Sequence, residues 1–138
     1  MWLPADVSDA ANEGDAHAVA AWLDAGGGVD SRCAEQDDMT LLMAAAAGGQ
    51  KAIVRMLLQR GASVNMKYSL GVTALMHAAA NGHTTTMQAL LDAKADTSLQ
   101  SMSGKTALMW AEHREHTPTA QLLRQHAEQQ VVEAAAAV

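Results

Sequence analysis

The chain repeats itself at a fixed interval. Thr73-Ala74-Leu75-Met76-His77-Ala78-Ala79-Ala80-Asn81-Gly82-His83 has a counterpart 33 residues upstream, beginning Thr40-Leu41-Leu42-Met43-Ala44. Another lies 33 residues downstream, beginning Thr106-Ala107-Leu108-Met109-Trp110. A period of that length points to a stack of small units, each burying its apolar face only against its neighbours.

Within a unit, the threonine is placed to cap a helix, its hydroxyl accepting from an early backbone N–H. The register predicts first helices over 41–48, 74–81 and 107–114, and second helices over 50–60, 83–93 and 117–126. Ile53, Val54, Leu57 and Leu58 draw the apolar stripe of one second helix; Met87, Leu90 and Leu91, then Leu122 and Leu123, continue it in later units. Helices this short do not persist alone in water, so the units must cooperate. Gly49 and Gly82 mark tight reversals between paired helices, and Gly61 a left-handed helix end.

A first unit is present in altered form. Trp22-Leu23-Asp24-Ala25-Gly26 matches Leu57-Leu58-Gln59-Arg60-Gly61 at an offset of 35, so the loop over 31–39 carries two extra residues. That loop reads as the longest irregular segment, with Cys33 as an exposed, bland thiol or, alternatively, one activated by Arg32. Trp22 aligns with Leu57 and Leu90 and is expected in the core.

Phe is absent, and the apolar mass comes from Ala, Leu, Met and Val, which suits helices packed close together over thin cores. No stretch approaches the ~20 apolar residues of a membrane span. The start lacks a secretory signal, and a lone cysteine cannot form an internal disulfide, so an intracellular, cytoplasmic setting is expected. The net charge of −6 disfavours nucleic acid. It is uneven: residues 1–38 hold nine acids and one base, whereas 39–91 hold four bases and no acid. The acidic first unit is either a solvated stack end or a patch that steers a basic partner.

No catalytic constellation is readable. There is no G-x-S-x-G, and Gly26-Gly27-Gly28 lacks the G-K-[ST] of a phosphate cradle. His113, Glu115 and His116, with His126 nearby, do not form a zinc-protease motif, and His116 simply aligns with His83. No metal and no cofactor are expected. Ala44, His77 and Trp110 share one aligned column, which reads either as packing along the stack or as a surface anchor.

The repeats "TLLMAAAAGG", "TALMHAAANGH" and "TALMWAEHREH" resemble ankyrin repeats, whose unit of about 33 residues is a β-turn plus two helices carrying T-P-L-H-x-A. The resemblance implies an all-α solenoid of about four helix–turn–helix repeats with β-turn or hairpin loops. The repeats would span about 5–39, 40–72, 73–105 and 106–126 in a domain over 1–126. Met43, Met76 and Met109 replace the motif histidine and are expected to pack rather than hydrogen-bond. Lys94 and Glu115 replace glycines, so a side chain must take left-handed geometry or the helix end must differ, and the fourth repeat should be the least regular. Beyond His126 the chain is rich in helix formers, and Leu123, Ala127, Val131, Ala135 and Val138 share one helical face. The segment 127–138 is therefore a helical extension, to about 134, or a disordered tail.

The resemblance implies a non-catalytic module binding a partner protein, of unstated identity, through a concave face of loop tips and first helices. By register, the partner-facing residues are Arg32, Asp37, Met39, Lys67, Tyr68, Leu70, Asn81, Gln100, Met102, Lys105 and Arg114. Gln36, Ser69, Val72 and Ser103 in the loops, and Asn12, Glu13, Ala47, Gly48, Ala80 and His113 on the helices, fall beside them. Tyr68, Leu70 and Met102 would form an exposed amphipathic strip. A monomer is expected. The alternatives are a regulatory subunit or inhibitor docking on an enzyme, and a module that self-associates through the C-terminal stripe.

Overall fold

The computed structural model describes residues 2–137; Met1 and Val138, the last member of the expected C-terminal stripe, lie outside the described residues. Helices come in consecutive pairs: α1 (Ala5–Glu13) with α2 (Ala16–Asp24), α3 (Leu41–Ala47) with α4 (Lys51–Gln59), α5 (Ala74–Ala80) with α6 (Thr84–Asp92), and α7 (Ala107–His113) with α8 (Thr117–Ala136). Among the described residues the first helices form one packed row, α1 on α3, α3 on α5 and α5 on α7, while α4 packs on α6 and α6 on α8.

The threonines start the first helices. The hydroxyls of Thr40, Thr73 and Thr106 accept from the backbone N–H groups of Met43, Met76 and Met109 at 3.4, 3.3 and 3.3 Å. Each cap is worth about 1 kcal/mol. Met43 and Met76 are buried, and Met43 also bonds: its sulfur accepts from the Thr40 N–H at 3.5 Å. Met109, on α7, is 47% exposed.

Small residues let the row close up. Leu41 through Ala46 are all buried. A Cβ at Gly48 would lie 2.0 Å from the backbone oxygen of Asn12, so the end of α1 rests directly on backbone there. The same logic repeats one step outward. The side chain of Gln50 packs on Gly14, the ring of His83 on Gly49, and the ring of His116 on Gly82, each within 3 Å of where a Cβ would stand.

That contact explains the two glycine replacements. Lys94 and Glu115 do adopt left-handed backbone, with φ of 67° and 60°. At Gly26 and Gly61, the counterparts of Lys94, a Cβ would meet nothing within 4 Å, so only conformational strain opposes a side chain. Glu115 is the counterpart of Gly82, on which the His116 ring packs, and is itself exposed.

The loop over 31–39 is more ordered than its length implies. Arg32–Cys33 (β1) pairs antiparallel with Met39–Thr40 (β2), Arg32 opposite Thr40 and Cys33 opposite Met39, around a 3-10 turn at Ala34–Gln36. Cys33 is 0% exposed and belongs to the core, which overturns the expectation of an exposed thiol. Cys33 lies on the first strand of this hairpin, opposite Met39. Trp22 is only half-buried, not a core residue, because α2 is the outermost second helix; its ring lies over Gly27.

The acidic first unit is tied into the stack. Asp15 caps α2 through the Ala18 N–H, Asp24 pairs with Arg60 at 2.8 Å, and Asp30 accepts from Ser63. At the other end α8 runs 20 residues, to Ala136, and every described residue from 127 onward is exposed.

Candidate partner-binding face

Three loops line up on one side of the row of first helices, and their backbones are bonded to each other. The Ser69 N–H and hydroxyl donate to the Asp37 carbonyl at 3.2 and 2.8 Å, and the Met102 N–H donates to the Leu70 carbonyl at 3.0 Å. Long cations continue the ladder. The Arg32 guanidinium donates to the carbonyls of Asp38 and Lys67 at 2.9 and 2.8 Å, and the Lys67 ammonium to the carbonyl of Gln100 at 3.3 Å. Arg32, Lys67 and Gln100 therefore hold successive loops in register. Asn81 does the same between helices, donating to the Ala47 carbonyl at 3.0 Å.

Side chains project from this framework unevenly. Leu70 and Met102 are 56% and 77% exposed on successive loop tips, and Asp37 and Gln100 are also exposed. Met39 is half-buried against the core. Val72, expected among the facing residues, is buried, since it turns inward just before the Thr73 cap. Tyr68 is not the exposed tip residue expected. It is half-buried, with its ring edge-on to His77 at a centroid distance of 5.3 Å. Burial, and after it the Asp37 carboxylate, holds the Tyr68 phenol above its ordinary pKa.

Between α5 and α7 the side chains of Tyr68, His77, Asn81, Trp110 and Arg114 line a cleft of about 140 Å³. Lys105 sets its ammonium 4.6 Å from the Trp110 ring centroid, and the Arg114 guanidinium lies 6.0 Å from it, both cation–π distances. The Nε2 atom of His77 and the Nε1 atom of Trp110 are buried without a hydrogen-bond partner. Burial lowers the His77 pKa to about 4, so its imidazole is neutral at pH 7.

A family model for ankyrin repeats (three copies) matches residues 7–101 and again 60–134. The chain belongs to the ankyrin repeat family. A search of the curated proteins found no match.

Ankyrin repeats are in general protein–protein interaction modules and not catalysts, and they bind partner proteins. Among the described residues of this ankyrin stack, no three His, Cys, Asp or Glu side chains come together as metal ligands, and no helix is long and apolar enough to cross a membrane. The register-based residues and the cleft overlap at Tyr68, Asn81 and Arg114, and Lys105 stands beside it over the Trp110 ring. His77 and Trp110, which make the cleft's centre, are absent from that register-based set. Their signal was the aligned column Ala44, His77, Trp110, in which a small residue gives way to two large ones with ring nitrogens.

Proposed function

We propose that this ankyrin stack binds a partner protein through the loop tips and first helices of its later repeats, with no catalysis of its own. The observation that carries this is the pairing of Leu70 and Met102. Both are exposed apolar side chains on loop tips whose backbones are bonded together, so the patch is rigid before any partner arrives. Rigid apolar anchors beside a Trp flanked by cations are the composition of a binding hot spot. The repeat domain in this reading covers 1–126, with units at 5–39, 40–72, 73–105 and 106–126, and 127–138 as an extension. Asp37, Leu70, Gln100, Met102, Lys105 and Arg114 meet the partner directly; Arg32, Lys67 and Asn81 hold the surface in shape, and Met39 and Tyr68 support it from beneath. The lone cysteine, buried as Cys33, supports an intracellular, cytoplasmic setting, and the net charge of −6 argues against nucleic acid as the partner.

Affinity capture from native lysate with the full chain and with a Leu70→Ala, Met102→Ala variant tests this. Loss of about tenfold or more in recovered partner by the folded variant is expected, since two anchors leave the interface. Undiminished recovery places the interface elsewhere.

One observation favours a second reading, self-association. Val131 and Val132 are 70% and 62% exposed on the part of α8 beyond the stack. Sedimentation of the full chain against a chain ending at His126 decides it: each chain at its own monomer mass removes the reading and leaves a monomeric binder.

A further inference from the structure

The repeat places one equivalent cleft between successive first helices, and its chemistry changes along the stack. Between α1 and α3 the cleft contains its own carboxylate, Asp9, which accepts from the Gln36 side-chain amide at 2.8 Å. By register Asp9 corresponds to Ala44, His77 and Trp110 in the later units. Between α5 and α7 no carboxylate lines the cleft, and donors gather instead. The Trp110 indole N–H can only donate and has no acceptor. The His77 Nε2 atom is likewise unpartnered. Arg114 and Lys105 stand over the Trp110 ring, and neither forms an ion pair among the described residues, whose two ion pairs are Arg60–Asp24 and Arg124–Glu112. No acid occurs between residues 39 and 91, the stretch that supplies α5 and the loop before it.

An unpaired cation pair at a cleft mouth attracts negative charge. We infer that the cleft between α5 and α7 is the pocket for an acidic side chain, Asp or Glu, of the bound partner. Its carboxylate pairs with the Arg114 guanidinium and the Lys105 ammonium, which stand unpaired over the Trp110 ring. A guanidinium binds a carboxylate through paired N–H donors, so the pocket favours the acid over its amide. The bipolar face also orients the partner: the acidic residue enters between α5 and α7, while Asp9 and Asp37 face the partner segment that crosses the first two units. The inference rests on the partner-binding reading but names a chemistry that the reading does not require.

Titration of the isotopically labelled full chain with N-acetyl-glutamate methylamide, followed at the Trp110 indole N–H resonance, tests the pocket directly. A saturable shift is expected with the glutamate probe and none with N-acetyl-glutamine methylamide. Arg114→Gln should weaken the response about tenfold, as loss of a charged hydrogen-bond partner does. Arg55→Gln, an exposed site on α4 with the same charge change, should leave it intact. No shift with the glutamate probe, an equal shift with the glutamine probe, or equal loss in both variants overturns the inference. A response to inorganic phosphate but not to the glutamate probe overturns the choice of a carboxylate. Partner recovery by the captured full chain is read separately. An Arg114→Gln chain that still recovers its partner undiminished removes the pocket and leaves the binding face standing.

Discussion

His83 sits on Gly49. A Cβ at Gly49 would lie 2.6 Å from the His83 Nδ1 atom, and the same ring donates its Nε2–H to the Ala47 carbonyl, 3.1 Å away. One residue of each unit is thus locked against the turn of the unit before it, and Gln50 on Gly14 and His116 on Gly82 repeat the contact.

Gly49→Ala should therefore cost more than a turn glycine normally does. Left-handed strain contributes about 1 kcal/mol and the clash with His83 about 2 kcal/mol. Gly61→Ala, with φ of 89° but nothing within 4 Å, should cost about 1 kcal/mol. Urea unfolding of the two variants measures the difference. Equal losses would mean that the His83 ring moves aside freely.

The converse change should stabilise. Lys94 holds φ of 67° without a packing reason, so Lys94→Gly should gain about 0.5–1 kcal/mol, read as a raised urea midpoint.

Acid should weaken the stack through His77. Burial lowers its pKa from 6.5 to about 4. Between those values the unfolded chain holds the proton more tightly than the folded one. The stability linked to neutral His77 is complete above about pH 6.5 and falls away as pH drops through 4, by as much as about 3 kcal/mol. The groups facing it, Tyr68, Trp110 and Arg114, include no carboxylate to stabilise the charged ring. Urea midpoints at pH 7.5 and 4.5 for the wild type and His77→Gln isolate the contribution; parallel declines would assign the loss to other groups.

Removing 127–138 should change stability by less than about 0.5 kcal/mol, because the described residues of that stretch are all exposed. A larger loss in thermal unfolding would show that the end of α8 is covered in solution.

Periodicity carried most of the fold. A 33-residue register fixes which residues repeat a role, and the threonine caps and apolar stripes needed nothing beyond it. The loop over 31–39 was harder, because its two extra residues break the register, and Cys33 is buried on a local hairpin that, among the described residues, no other unit shows. The end of α8 was ambiguous for a different reason: Ala, Gln and Glu favour a helix but bury nothing, so composition leaves helix and tail equally open. At the candidate face, the register-based set includes Tyr68 and Arg114, which line the cleft between α5 and α7. It could not say that Tyr68 leans back onto His77, or that Arg32 and Lys67 reach across to neighbouring carbonyls. Those are contacts between units, set by the distance between helices and not by order along the chain.

Photo-crosslinking tests the binding face most directly. A benzophenone amino acid replaces Met102, on the exposed loop tip, or Arg55, exposed on α4, and each chain is irradiated in native lysate. The expected result is a discrete protein adduct from position 102 and none from position 55. Adducts from position 55 alone, or equally from both, would contradict a partner seated on the loop tips and first helices.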